Sequence, residues 1–250
     1  MLLAACTVAW PAAASTVGDR SLAKVLEGMG GAATIDRIKT LVVTASGKRT
    51  TPAGVVELRT RSYYRYPIQF RQEVEAGGTR IAMVSTPHGA YLLGQDNVVE
   101  LPPADRHNIE VTALRNLVTL MKARHNRFFV ADRGDPVTID GRSAEVVEIT
   151  VREERATIAF DAASGRVLRQ TYEVPDAPGG KPGTMVVVYS DFGEVAPGLV
   201  LPKRAVGRLN GDFAFDSAVE AVEVDVDIAP ELFGPVPIGA SRARVPAPPR

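Results

Sequence analysis

The fold is decided by the stretch from Asp191 to Pro235, which reads DFGEVAPGLVLPKRAVGRLNGDFAFDSAVEAVEVDVDIAPELFGP. Apolar and polar residues alternate through most of it, a pattern typical of half-buried β-strands. Asn210-Gly211 divides the stretch in two, and Asn-Gly is the strongest short signal for a hairpin turn. The sequence therefore predicts an antiparallel hairpin whose second strand runs from Asp212 to Ile228.

The apolar phase changes within that second strand. Phe213 and Phe215 occupy odd positions, whereas Val222, Val224 and Val226 occupy even ones. Because side chains in a strand alternate with a period of two, a shift of one residue predicts a β-bulge or a sharp bend.

Similar alternation fills most of the chain upstream, beginning near Leu41. Turn signals such as Gly77-Gly78 and Asp140-Gly141 separate its segments. No helical pattern lies between successive strands in either half, so parallel crossovers are not expected. We therefore expect a mainly β (α+β) protein with an antiparallel sheet of about eleven to thirteen strands, in a single domain over residues 19–235.

One amphipathic segment interrupts the strands, between Asp105 and Arg124. Its apolar residues, among them Leu114, Leu117, Val118 and Met121, fall on neighbouring stripes of a helix. This pattern predicts one helix that packs on the sheet.

The strand from Met185 to Phe192 is apolar on both faces. Met185, Val187 and Tyr189 share one of these faces. Two interpretations remain open: one face lines a ligand cavity, or the strand is simply central and covered by helices.

The two ends of the chain differ from the rest. Residues 1–14 form a short apolar run that ends in small residues, as in an export signal, although the basic residues that usually open one are absent, which points to a start upstream of Met1. Cleavage near Ala14 is one outcome. Acylation of Cys6 in a lipobox-like context is another, and a buried N-terminal helix is the third. Residues 236–250 are rich in proline and arginine and predict a disordered or extended tail.

Composition and motifs argue against several classes of function. The net charge is zero, which does not favour a nucleic-acid partner, and no apolar run is long enough for a transmembrane helix. The histidines His88, His107 and His125 show no metal-ligand spacing, and no nucleophile motif is present. We therefore expect no enzyme activity, no metal and no cofactor.

Arginines and tyrosines cluster in the strand before Pro67. Arg59, Arg61 and Arg65 accompany Tyr63 and Tyr64. Such a surface can bind a protein partner or phosphate. It can equally be a solvated strand face whose long side chains protect the sheet.

Short segments in a fixed order also carry a resemblance to a known family. They are Gly30-Gly31-Ala32-Ala33, Ile38-Lys39-Thr40-Leu41, Tyr66-Pro67, Phe70-Arg71, Asp161–Val167, Tyr189–Phe192, Gly198–Pro202 and Ile228–Phe233. In this pattern the chain resembles the LolA/LolB-like periplasmic lipoprotein carriers. The resemblance implies an open, curved antiparallel half-barrel with helices covering its concave face, and acyl chains bound between sheet and helices.

Two functions follow from these observations. The first is a non-enzymatic periplasmic binding protein for lipid or lipoprotein acyl chains. Its ligand would meet Leu114, Leu117, Val118, Met121, Met185, Val187 and Tyr189. The alternative is an envelope protein-interaction or stress-sensing module on the same scaffold, with Arg59, Arg61 and Arg65 as its partner surface.

Overall fold

The computed structural model describes residues 17–177 and 181–239. The main element of these residues is one sheet of 13 antiparallel strands. The strands are β1 (Thr40–Thr51), β2 (Gly54–Arg65), β3 (Gln69–Ala76), β4 (Thr79–Thr86), β5 (Gly89–Leu93), β6 (Val98–Glu100), β7 (Phe129–Ile139), β8 (Arg142–Val151), β9 (Glu154–Phe160), β10 (Val167–Ala177), β11 (Lys181–Ala196), β12 (Leu199–Leu209) and β13 (Asp212–Val224).

The sheet consists of two meanders joined at their ends. Strands β1 to β6 run outward in one direction and β13 back to β7 in the other, and β1 pairs with β13 at the junction. Strands β6 and β7 are therefore the two edges, and the sheet is open rather than a closed barrel. Along the chain, these two edge strands are separated only by the helical residues between Glu100 and Phe129.

Helix α3 (Pro103–Leu114) shows how strongly the sheet curves. It packs against β4 and β5, and its His107 Nε2 lies 3.1 Å from Glu154 Oε1 on β9. Eight strands separate β5 from β9 in the sheet order, about 40 Å if the sheet were flat. A helix of 12 residues is only about 18 Å long, so the sheet must curl around it. We call the face that carries the helices the concave face.

Four short helices cover part of the concave face: α1 (Val17–Gly28), α2 (Ala32–Arg37), α3 and α4 (Leu117–Lys122). Val25, Ile35 and Leu120 on these helices pack with Leu41 and Ile149 on the strands in the main hydrophobic core. The prediction of an open, curved half-barrel with helices on its concave face is thus confirmed.

The predicted single helix from Asp105 to Arg124 is wrong in one respect, because it is broken after Leu114. Arg115 and Asn116 form the break. The Asn116 side chain caps α4 by accepting hydrogen bonds from the backbone N–H groups of Val118 and Thr119, at 3.0 and 3.2 Å. The apolar stripe continues across the break, so its periodicity alone did not reveal it.

The predicted bulge in the last strand is present. Thr44 pairs with Ala221 but Ala45 pairs with Val219, which leaves Glu220 as the extra residue. The strand itself ends at Val224 rather than Ile228. Asp225 adopts a positive φ of 55° and turns the chain out of the sheet, while its carboxylate accepts a hydrogen bond from Lys39 N at 2.6 Å.

The segment from Asp225 to Gly239, the C-terminal segment, crosses the convex face. Ile228, Phe233 and Ile238 pack there in a second core with strand residues such as Val84. Residues 236–239, assigned from sequence to a disordered tail, therefore pack against the sheet. The remainder of that tail, the predicted leader over residues 1–14 and Cys6 lie outside the described residues.

Candidate functional site

A small cavity lies on the concave face, between the end of α3 and strands β8 to β10. Leu114 on the helix and Ile149, Ala156, Gln170 and Tyr172 on the strands are among its lining residues. Its volume is about 20 Å³, room for about one water molecule. Ligand pockets usually measure about 300–1,000 Å³, so the helix must move before an acyl chain could enter.

Gln170 is the buried amide at this cavity and is 1% exposed. The other polar lining residues are Arg115, Glu154, Arg155 and Tyr172. The Gln170 Oε1 atom accepts a hydrogen bond from the Tyr189 hydroxyl at 2.7 Å. Burial raises the pKa of Tyr189, so this hydroxyl stays protonated and remains a donor at neutral pH. The Gln170 Nε2 group, in contrast, has no hydrogen-bond partner among the described residues. Buried amide groups without a partner are rare because desolvation costs about 1–3 kcal/mol.

Positive charge collects around Tyr172, at the rim of the cavity. The Arg115 guanidinium lies 4.2 Å from the centre of the Tyr172 ring, and Arg155 also lines the rim. Burial raises the pKa of Tyr172, while the charges of Arg115 and Arg49 act in the opposite direction.

A row of apolar side chains lies beside the cavity on the concave face. Strand register places Val187 beside Gln170 and Gly207, and Gly207 in turn pairs with Phe215. The Phe215 ring lies directly over Gly207, where an added Cβ would fall 2.1 Å from a ring carbon. Met185 pairs with Tyr172 in the β10–β11 register, and both side chains are half-buried. We call Met185, Val187 and Phe215 the apolar path.

The residues predicted from sequence to contact a ligand divide into two groups. Leu114 lines the cavity, and Met185, Val187 and Tyr189 lie on the neighbouring strand β11, on the concave face. Leu117, Val118 and Met121 belong instead to the main core, at 6%, 0% and 0% exposure, and do not line the cavity. The α4 residue that lines the cavity is Leu120, which also packs in the main core.

Gln170, Tyr172 and Arg115 were not predicted from the sequence as site residues. A signal was present, because Gln170, Tyr172 and Val174 alternate with Arg169 and Thr171. A glutamine in phase with apolar residues is a polar group on a buried strand face. The pattern alone did not indicate whether a protein group or a ligand would satisfy it.

The predicted partner surface lies on the convex face, where its charges are largely met within the chain. Arg59 forms an ion pair with Glu220 at 2.7 Å and Arg61 one with Glu223 at 3.1 Å. Arg65 donates a hydrogen bond to the carbonyl of Ile228 in the C-terminal segment. Binding of a partner here stays a prediction. Reversing the charge of Arg59 and Arg61 should weaken such a partner and leave acyl-chain binding unchanged.

Metal clusters and membrane-spanning helices are both absent from the described part of the chain. Over residues 17–177 and 181–239, no cluster of three or more histidine, cysteine, aspartate or glutamate side chains could hold a metal ion. In the same ranges, no helix combines the length and apolar character needed to cross a bilayer.

Comparison with solved structures places this fold among known proteins. An outer membrane lipoprotein-sorting protein domain from Vibrio parahaemolyticus aligns with a TM-score of 0.57 and 8% identity, covering 87% of this chain and 97% of its own. A LolA superfamily protein from Nitrosomonas europaea gives a TM-score of 0.57, 11% identity and coverages of 87% and 98%. A DUF1329 family protein from Desulfovibrio piger gives a TM-score of 0.57 at 10% identity, and the alignment covers 87% of this chain and 97% of that protein.

The chain therefore has the fold of LolA-like and lipoprotein-sorting proteins, as its sequence pattern suggested. At these identities the likeness concerns the fold alone. No family model matches the sequence, and no curated protein matches it either.

Proposed function

We propose that this protein is a non-enzymatic periplasmic binding protein for lipid or lipoprotein acyl chains. The chains would lie between the curved sheet and helix α3. The observation that carries the proposal is the apolar path, which lies on the concave face beside the cavity that Leu114 lines. The apolar leader and the fold shared with lipoprotein-sorting proteins support export and this class of ligand.

Helix α3 is the element best suited to open the site. Its buried residues are Ile109, Val111 and Ala113, and most of the others are at the surface. Lifting it would expose these side chains at a cost of about 3–5 kcal/mol, which burial of about six methylene groups, at about 0.8 kcal/mol each, would offset. An acyl chain of ordinary length is therefore sufficient to open the site.

Helix α4, in contrast, is fixed in place. Lys122 at its end donates hydrogen bonds to the carbonyls of Ile35 and Asp36, at 3.0 and 3.1 Å, and its ammonium lies 4.9 Å from the centre of the Tyr66 ring. Burial of this lysine lowers its pKa. Opening at α3 alone leaves the core around α4 intact.

A charged residue at Leu114 tests this proposal. Leu114→Lys places an ammonium group in the path of the chain, and lysine near the C-terminus of a helix is compatible with the helix dipole. Affinity for a fluorescent fatty acid should fall at least tenfold. The matched control is Asn108→Lys on the exposed side of α3, which should bind as the parent does. Equal binding by the folded Leu114→Lys variant would contradict the proposed site.

A further inference from the structure

The Gln170 amide has a free hydrogen-bond donor for which the described residues provide no acceptor. Tyr189 donates to its Oε1, which fixes the amide plane and leaves Nε2, a group that can only donate, without a partner. The residue lines the cavity although it is 1% exposed. The comparable case in the described ranges, the buried Ser85 Oγ, does not line this cavity.

We infer that Gln170 Nε2 donates a hydrogen bond to the acyl oxygen of the ligand, so that the site selects chains that carry a carbonyl or carboxylate over plain alkyl chains. This inference rests on the proposed function and adds the chemistry by which the ligand is recognised. The chain would follow the apolar path, because Val187 pairs with Gln170 in the sheet.

The surroundings of Gln170 favour an acceptor oxygen. Arg115 and Arg155 line the cavity, and the Arg115 guanidinium lies 4.2 Å from the centre of the Tyr172 ring. The carboxylate at the rim, that of Glu154, is 3.1 Å from His107 Nε2. A ligand oxygen carrying partial or full negative charge is therefore stabilised here, whereas an alkyl chain would leave Nε2 unpaired.

A matched pair of lipids tests the inference. Palmitoyl lysophosphatidylcholine and its hexadecyl ether analogue differ in one carbonyl group. Isothermal titration calorimetry of the whole protein, below the critical micelle concentration of each lipid, should show about tenfold tighter binding of the ester. Gln170→Met keeps the side-chain length but removes both the Nε2 donor and the acceptor of the Tyr189 hydroxyl, so it is compared with Gln170 in a Tyr189→Phe background. In that background Gln170→Met should lose the ester preference through loss of ester affinity. Binding of the ether should not change.

Ser85→Ala is the control, because it removes a buried hydroxyl that lies elsewhere on the sheet and has no hydrogen-bond partner within residues 17–177 and 181–239. It should keep the ester preference, and thermal unfolding verifies that each variant is folded. Equal binding of ester and ether by the parent, or a preference that survives in Gln170→Met, would overturn the inference while leaving acyl-chain binding intact. Binding of neither lipid would refute the proposed function itself. Titration with palmitate distinguishes the two kinds of acyl ligand. Binding of palmitate that depends on Gln170 indicates that the ligand is a free fatty acid. If palmitate does not bind in this way, the ligand is an ester- or amide-linked chain.

Discussion

The buried charge network beneath the C-terminal segment gives a prediction whose size follows from its geometry. Arg71 is 1% exposed and Glu73 is 6% exposed. Arg71 Nε and Nη2 donate to Glu73 Oε1 at 3.0 and 2.7 Å, and Nη1 donates to the carbonyl of Leu232 at 2.9 Å. Arg80 pairs with the other carboxylate oxygen. The network therefore holds the C-terminal segment to the convex face.

Changing one partner alone should be severe. Glu73→Gln leaves two guanidinium groups facing a neutral amide, one of them without access to solvent, and we expect a loss of about 3–5 kcal/mol. Arg71→Met leaves the Leu232 carbonyl without its donor, and we expect a loss in the same range. The double variant Arg71→Met/Glu73→Leu replaces the pair with apolar side chains, and Arg80, which is partly exposed, can turn to solvent. Its cost should fall short of the sum by about 2–3 kcal/mol.

Urea denaturation measures these differences if the slope of each transition is unchanged. At about 2–4 °C per kcal/mol for a chain of this size, each single variant should also lower Tm by roughly 6–20 °C. The exposed pair Arg59–Glu220 is the control, since breaking it should cost less than about 1 kcal/mol. Costs below that value for Arg71 and Glu73, or strictly additive ones, would refute the reasoning.

Three other predictions concern the tyrosines, the α4 cap and the C-terminal segment. Burial raises the pKa of Tyr64, Tyr66 and Tyr189 above the usual value of 10.0, so their stabilising contribution is complete below pH 10 and is lost as the pH rises beyond it. Ultraviolet titration should show these phenols ionising only with unfolding, and earlier ionisation would contradict their burial. Asn116→Ala should reduce the free energy of unfolding by about 1 kcal/mol through loss of the cap, and an unchanged urea midpoint would argue against it. Ile238→Asp should release the end of the C-terminal segment, detected as faster hydrogen exchange of its amides; unchanged protection would contradict the packing described.

Much of the fold was predictable because its signals are local. Positive φ at Gly77, Gly78, Gly141 and Gly211 occurs in turns that the sequence identified, since only a few residue types adopt this conformation readily. The phase change in β13 correctly predicted a bulge, because the period of two is strict. The end of this strand was not predictable by the same means, since alternation continues through Val226 although the backbone turns at Asp225.

The candidate site was only partly predictable because it depends on contacts between distant strands. Leu114 and Val187 were identified by apolar pattern. Val187 lies beside Gln170 through strand pairing, whereas Leu114 comes near it only because α3 packs on the concave face. The pattern also included Leu117 and Met121, since core and ligand-facing residues are equally apolar. The C-terminal segment was missed in part because Pro235 and Pro237 resemble a disordered tail, whereas Ile238 packs in a pocket formed by β5 and its neighbours.

The most direct test of the central claim is native mass spectrometry, with organic extraction, of the protein expressed with residues 1–14, the predicted leader, in place. The account predicts discrete added masses that extract as lipid, and their loss in Leu114→Lys. A protein that carries no ligand, and stays empty when palmitoyl lysophosphatidylcholine or a lipopeptide is added, would contradict it.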